Sequence, residues 1–214
     1  MTRGRELVHI RYGLQLDGGR ILTNIIYGEI TMDIRPLPPV EYLRQCLSYD
    51  QETGIFTWKR RPREHFPTEN GWKVFNKKCS GKTAGSVVNG HDFKIFYIQI
   101  KILGYNYKAH RIAHAIHFGF DYPGIIDHKD GIGTNNKIDN LRPCTDCQNM
   151  HNRKANEGKG LKGVSFRKDQ GKYVARVYEN RRRVFLGYFK TESEAHAAYC
   201  EAASRIYGEF ARFE

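Results

Sequence analysis

Asp127 and His128 are adjacent in the chain, Asn140 follows His128 by 12 positions, and Asn149 follows Asn140 by a further nine. A neutral imidazole takes a proton from water near neutral pH, which makes His128 a candidate general base. The Asp127 carboxylate and the Asn149 amide offer hard oxygens, the kind that hold a divalent ion while leaving it several waters. Water activated beside such an ion is the chemistry of metal-assisted hydrolysis. Alone, each of these residues would pass for an ordinary loop or surface position. The intervals set them apart.

The elements that must position them can be read from the neighbouring residues. Ile125-Ile126 is a short β-branched run that ends in the Asp-His pair. Gly131, Gly133 and Asn135-Asn136 predict a polar turn, and Asn140-Leu141-Arg142 a return strand. Thr145-Asp146-Cys147-Gln148 has the spacing of a capping box, with Thr145 as N-cap and Gln148 reaching back. Asn149 then falls one turn into a short helix able to pack beside the hairpin.

This stretch, with its neighbours Lys129-Asp130-Gly131 and Asn135-Asn136, resembles the HNH endonucleases of the phage and intron-encoded homing type. The resemblance implies a ββα-metal module that hydrolyses DNA phosphodiesters. That reaction needs a nucleophilic water, neutralised phosphate charge and a stabilised leaving 3′-oxygen. His128 would be the base, and Asp127 and Asn149 would hold Mg²⁺ or another divalent ion such as Mn²⁺. Asn140 would brace the loop and fix His128. Further upstream, the turn Tyr49-Asp50, then Thr57-Trp58-Lys59-Arg60, ahead of Ala109-His110-Arg111, is similar to the N-terminal part of phage HNH proteins. His110, His114 and His117 fall near one helical face and are read as packed or solvated, outside the site.

A second patterned segment lies at the C-terminus. In the strand expected over residues 173–178, alternation puts Tyr173, Ala175 and Val177 on one face and Val174, Arg176 and Tyr178 on the other. In the next strand Val184 and Leu186 oppose Arg183 and Phe185. Thr191 with Glu194 opens a helix in which Ala195, Ala198, Tyr199, Ala202, Ala203 and Ile206 recur at helical spacing. Residues 161–213 resemble the DNA-binding domain of plant ethylene-response (Apetala-type) factors. The resemblance implies a three-stranded antiparallel sheet with one packed helix and a basic face that reads the major groove. Arg167, Lys172, Arg176 and Arg183 are the expected contacts, with Tyr178 and Phe185 packing on sugars or bases. Ser165 and Tyr178 stand where plant domains often carry Arg, and Gln170 and Phe185 where they carry Trp. Base preference therefore does not transfer.

Composition points to the same partner. A net charge of +12 and a pI near 9.5 suit a polyanion. No apolar run is long enough to span a bilayer and no signal-peptide pattern opens the chain, so the expectation is a soluble, cytoplasmic protein, encoded by a phage or mobile element in a bacterial host. Cys144 and Cys147 have the spacing of half a zinc site, but Cys46, Cys79 and Cys200 are isolated, so a structural zinc is not expected. The odd cysteine count fits reduced thiols.

The fold class expected is α+β in both modules. The layout is an extension over residues 1–34, helix and strands over 35–104, the HNH module over 105–154, a basic linker over 155–160 that tethers the two activities, and the C-terminal domain over 161–214. Within 35–104, a helix is expected over residues 40–47, a strand over 55–58, loop over 62–82 and a strand over 93–101. Lys59-Arg60-Arg61 exposes charge suited to phosphate contact, with Arg60 and Arg61 as candidate DNA ligands. Residues 1–31 match nothing in the resemblance, and Met32 stands at the boundary. The reading is that Met32 is the initiator and the preceding residues an upstream read-in; a short genuine hairpin is the alternative. The function expected is a sequence-targeted, divalent-metal-dependent DNA endonuclease acting on double-stranded DNA. A DNA-binding regulator with an inactive HNH module is the alternative, and RNA binding or cleavage a third class. Oligomeric state and target sequence are not written in the chain.

Overall fold

A computed structural model of the protein describes residues 16–17, 20–21, 35–90, 95–154 and 160–214. The chain divides into two units, Met1–Arg35 and Pro36–Glu214. In the first, β1 (Leu16–Asp17) pairs antiparallel with β2 (Arg20–Ile21). Most of residues 1–31, on which the read-in expectation falls, lies outside the described residues.

The second unit is mixed helix and antiparallel sheet. Pro38-Pro39 leads into α1 (Val40–Cys46), whose buried Val40, Leu43 and Cys46 recur at helical spacing. β3 (Leu47–Tyr49) pairs with β4 (Phe56–Trp58) across a turn in which Asp50 Oδ1 accepts the Glu52 N–H at 2.9 Å. Helix α2 (Glu69–Cys79) follows. It replaces the loop expected over residues 62–82. Gly71 and two asparagines make its intrinsic helix propensity poor, and tertiary contacts decide instead. Thr68 caps it, Phe75 meets Trp58 edge-on at 5.3 Å, and Trp72 Nε1 donates to Arg61 O at 2.9 Å. β5 (Ser86–Asn89), β6 (Phe96–Ile102) and β7 (Tyr105–Lys108) form a meander, its second turn made by Leu103 and Gly104 at positive φ. α3 (Ala109–Phe118) ends at Gly119 in the left-handed region, as glycine allows. Ile112, Ala113 and Ala115 bury against Leu43, Phe56, Ile100 and Ile102 in one core.

That core carries the hairpin of β8 (Ile125–His128) and β9 (Leu141–Cys144), with α4 (Asp146–His151) after it. The β3–β4 turn clamps the loop between the two strands. Tyr49 Oη donates to Asn136 O at 2.6 Å, and the Ile138 N–H reaches Gln51 O at 3.1 Å. Gly54 sits against the same loop with φ +73°, and a Cβ there would lie 2.6 Å from the Asn136 carbonyl carbon. Gly54→Ala should therefore destabilise the protein by more than the ~1–2 kcal/mol of a left-handed alanine alone, measured by urea unfolding. Wild-type stability in that variant would mean the clamp is not as tight as described.

The C-terminal sheet runs β10 (Val164–Arg167), β11 (Lys172–Glu179), β12 (Arg182–Phe189), in that order. Helix α5 (Glu192–Tyr207) covers one face, with Tyr199, Ala202 and Ala203 buried on Val177. The small side chains let helix and sheet approach closely. The pairing of β11 with β12 shifts between Ala175 and Arg176, where Leu186 is the extra, bulged residue of β12. Val174 and Ala175 are both fully buried, so Val174 is not exposed alongside Arg176 and Tyr178.

Candidate active site and nucleic-acid interface

Asp127 and His128 close strand β8, where cross-strand pairing sets Asp127 opposite Arg142 and His128 opposite Leu141. Both side chains are buried. Arg142 Nε and Nη2 donate to Asp127 Oδ2 at 3.1 and 3.0 Å. The Asn152 amide reaches both carboxylate oxygens, at 3.1 and 2.9 Å, and the His128 carbonyl at 2.8 Å. Asp127 is thus held from two sides in one orientation, and among the described residues its Oδ1 is engaged only by Asn152.

His128 Nε2 lies 3.3 Å from Asn136 Oδ1. Asn136 Nδ2 donates to Thr134 O, so its amide oxygen faces the ring, and an Nε2–H on His128 is the matching tautomer. Nδ1 is then the basic nitrogen. Burial holds the imidazole below its usual range, against the opposing pull of Asn136, Asp130 and Asp127. The neutral form is favoured.

Asn140 ends the short 3-10 turn Ile138–Asn140 immediately before β9 and ties the loop together. Its amide donates to Asp130 Oδ1 at 3.0 Å and to Asn135 O at 2.8 Å, and its Oδ1 accepts the Asp130 N–H at 3.1 Å. Burial would raise the Asp130 carboxyl, but the Ile132 N–H, Asn135, Asn140 and the His128 charge outweigh it and hold it low. Asn140 makes no hydrogen bond to the His128 side chain; it reaches His128 through the backbone that follows it.

Thr145 and Gln148 form the reciprocal cap that starts α4. Asn149 is half-buried, and its amide makes no hydrogen bond among the described residues. Asn152, about one turn later, is the residue whose amide meets Asp127. Among the described residues no three His, Cys, Asp or Glu side chains are grouped to hold a metal. What the site offers is one carboxylate with a lightly used oxygen and one free amide on the adjoining helix. That set fits a hard ion with few protein ligands, Mg²⁺ or Mn²⁺, better than a thiolate-bound one.

Three residues near this centre escaped the sequence reading. Arg142 and Asn152 carry Asp127. His110, set aside as a helical histidine, stands edge-on to the His128 ring with centroids 4.9 Å apart. Its Nδ1 is buried without a hydrogen-bond partner, and burial, then the charges of His128, Lys108 and Arg111, push it well below the usual range. The opposition of Asp127 and Arg142 across the hairpin was a readable signal, as was the helical spacing of Asn149 and Asn152. Nothing local marks His110.

The C-terminal sheet presents its basic residues on the face away from α5. Register pairs Arg167 with Lys172, Arg176 with Phe185 and Tyr178 with Arg183. Arg176 Nη1 donates to Ser165 Oγ at 3.2 Å, linking β11 to the neighbouring β10 on that face. Arg167 is tied in a fork to Asp169. Tyr178 and Phe185 are each more than half exposed, and Tyr188, opposite Val174 on the same face, joins them as an exposed ring that the sequence does not single out. Near the N-terminus, Arg60 lies over Trp72 at 5.6 Å. Arg61 does not share its surface. Its guanidinium donates to Tyr42 Oη at 2.6 Å and packs on Phe66 and Phe75, leaving it 7% exposed. It is a core residue rather than a phosphate contact.

The two domains also touch. Lys162 Nζ donates to His151 O and Arg153 O, and Tyr207 stacks on His151 with centroids 3.6 Å apart. Burial, then the Arg212 charge, brings Lys162 down to about 8. Most of the expected linker, residues 155–159, lies outside the described residues; the contacts around it add a packed junction to the tether.

Comparison with known families follows the same division. Residues 107–151 match the family model of the HNH endonuclease, and residues 159–209 match that of the AP2 domain. No curated protein and no solved structure matches the chain. The chain therefore carries a domain similar to the HNH endonucleases followed by one similar to the AP2 domains, the fusion that its motifs resemble, and domains of both kinds bind DNA. Among the described residues no helix is long and apolar enough to cross a membrane.

Proposed function

We propose that the protein is a sequence-targeted, divalent-metal-dependent endonuclease of double-stranded DNA, homing-like and acting in the cytoplasm of a bacterial host. The observation that carries this reading is the Asp127-His128 pair, fixed beside α4 and within one packed unit with a basic, aromatic sheet. His128 Nδ1 accepts the proton of the attacking water, while Asn136 holds the ring by its other nitrogen. His110, kept neutral by burial, walls the imidazole on one side and adds no charge to it. Asp127 and Asn149 would hold Mg²⁺ or Mn²⁺, which supplies charge neutralisation at the phosphate and the leaving 3′-oxygen. Arg142 and Asn152 keep the Asp127 oxygens aimed, and Asn140 keeps the loop behind His128 closed.

Targeting is assigned to Arg167, Lys172, Arg176 and Arg183, with Tyr178 and Phe185 against sugars or bases, and Arg60 as a phosphate contact. Arg176→Ala or Arg183→Ala should relax sequence preference, because a bidentate Arg–guanine contact is worth roughly 1–3 kcal/mol of discrimination. Arg153→Ala should instead weaken binding to all duplexes and flatten the salt dependence. Identical behaviour of the two kinds of variant, in titrations on specific and random duplexes at several salt concentrations, would refute the reading face.

The alternative, a regulator with an inactive nuclease domain, separates from this reading in one assay. Supercoiled plasmid should be nicked in Mg²⁺ and left intact in chelator. Binding without nicking in either Mg²⁺ or Mn²⁺ favours the regulator. One such centre cuts one strand at a time, so linear product would require two copies or repositioning.

A further inference from the structure

We propose that the segment after α5, residues 208–212, is a working part of the nuclease centre: it positions Arg142, and Arg142 positions the Asp127 carboxylate. The inference rests on the reading of Asp127 as a metal oxygen. It assigns to the C-terminal domain a role in building the catalytic site, beyond holding DNA.

Arg142 is buried and uses its guanidinium in two directions. Its Nε and Nη2 edge goes to Asp127, while Nη1 donates to Glu209 O at 2.7 Å. Phe210, itself buried, covers the guanidinium plane 3.8 Å from the ring centroid. A guanidinium is rigid and planar, so fixing one edge and one face fixes the direction of the remaining edge. Arg212 repeats the contact at the other end of the same stretch. Its Nη1 donates to Asp130 O at 3.0 Å, and Asp130 is the residue that Asn140 braces. The segment therefore grips the hairpin at Arg142 and at the loop after His128.

The same segment is continuous with the DNA-reading sheet. Tyr207, which ends α5, stacks on His151 at the end of α4 and accepts the Tyr178 N–H at 2.9 Å through its hydroxyl. Tyr178 lies on the basic face. A contact made by that face is one hydrogen bond and one stacked ring from the helix that carries Asn149. Arg142 is on this argument a positioning residue, acting through Asp127.

The test uses the full chain with Phe210→Leu, which keeps apolar volume but removes the ring, and Phe210→Tyr, which restores it. Mn²⁺ binding is followed without DNA by water-proton relaxation, and Mn²⁺ dependence of plasmid nicking is followed separately. Phe210→Leu should need on the order of 3–10-fold more Mn²⁺ in both measurements, a fraction of the value of one desolvated cation–π contact, because the ring acts on the metal only through Arg142 and Asp127. Duplex affinity in chelator should stay unchanged, and Phe210→Tyr should return both curves to wild type. A purely structural role would lower the folded fraction without shifting the Mn²⁺ midpoint. Wild-type Mn²⁺ curves in Phe210→Leu would overturn the proposal while leaving the nuclease reading intact. A wild-type chain that neither binds Mn²⁺ nor nicks would overturn both. If Phe210→Leu does not fold, Arg212→Gln, which leaves the ring in place, is read by the same two curves and the same outcomes.

Discussion

His128→Ala is expected to slow DNA cleavage about 10²–10⁴-fold, the range of a general base, with duplex binding in chelator almost unchanged. The imidazole is buried, presents little area to a long polyanion, and lies outside the basic sheet to which the proposed function assigns DNA affinity. Its value lies in its protonation state and aim. Burial favours the neutral ring, and the Asn136 oxygen 3.3 Å from Nε2 selects the tautomer that leaves Nδ1 basic. Single-turnover nicking with protein in excess measures the chemical step, and gel retardation measures binding. Undiminished nicking by His128→Ala would remove this residue from the mechanism.

Arg142→Leu is expected to cost about 3–5 kcal/mol of stability, because it leaves a buried carboxylate without its cation. Asp127 and Arg142 side chains are 7% and 9% exposed, so water does not replace the lost partner. The Asn152 amide remains, but a neutral donor compensates only part of a buried charge. The same substitution also frees Glu209 O and the Phe210 face. The double variant with Asp127→Leu should recover much of the loss, since an apolar pair of similar volume often matches a buried ion pair. Urea unfolding of the two single variants and the double gives the coupling directly. Additive losses would show that the pair is not interacting as its geometry requires.

Local chemistry made part of this protein legible. The two capping boxes, at Thr145 with Gln148 and at Thr191 with Glu194, stand in the structure where their spacing places them. A cap involves residues three apart and needs no tertiary context. The ββα hairpin was readable for the same reason, through a β-branched run, a glycine- and asparagine-rich turn, and a return strand. The four motif residues fall on that frame, but the frame does not show how their side chains are held. Arg142, Asn152 and Asn136 do that work, two of them from across the hairpin or the next helix. The sequence points to loop over α2 because Gly71, Asn70 and Asn76 weaken its intrinsic preference, while Phe75 and Trp72 supply the packing that overrides it. Arg61 looked like surface charge within a basic run. Its aliphatic and planar surfaces instead fit between Tyr42, Phe66 and Phe75, an environment assembled from three separated stretches. The bulge lies at Leu186 of β12, and its one local marker is the neighbouring Gly187, a glycine inside a strand at positive φ.

The most direct test of the central claim, that the basic sheet chooses where the HNH centre cuts, maps cleavage against binding on one DNA. A duplex carrying a site selected by the C-terminal domain is footprinted in chelator, then incubated with Mg²⁺ and its strand ends read at nucleotide resolution. The account predicts a nick at one fixed offset from the footprint, which moves with the site when the site is transplanted and is lost in His128→Ala. Nicks scattered without relation to the footprint, or no nicks beside a clear footprint, would contradict it.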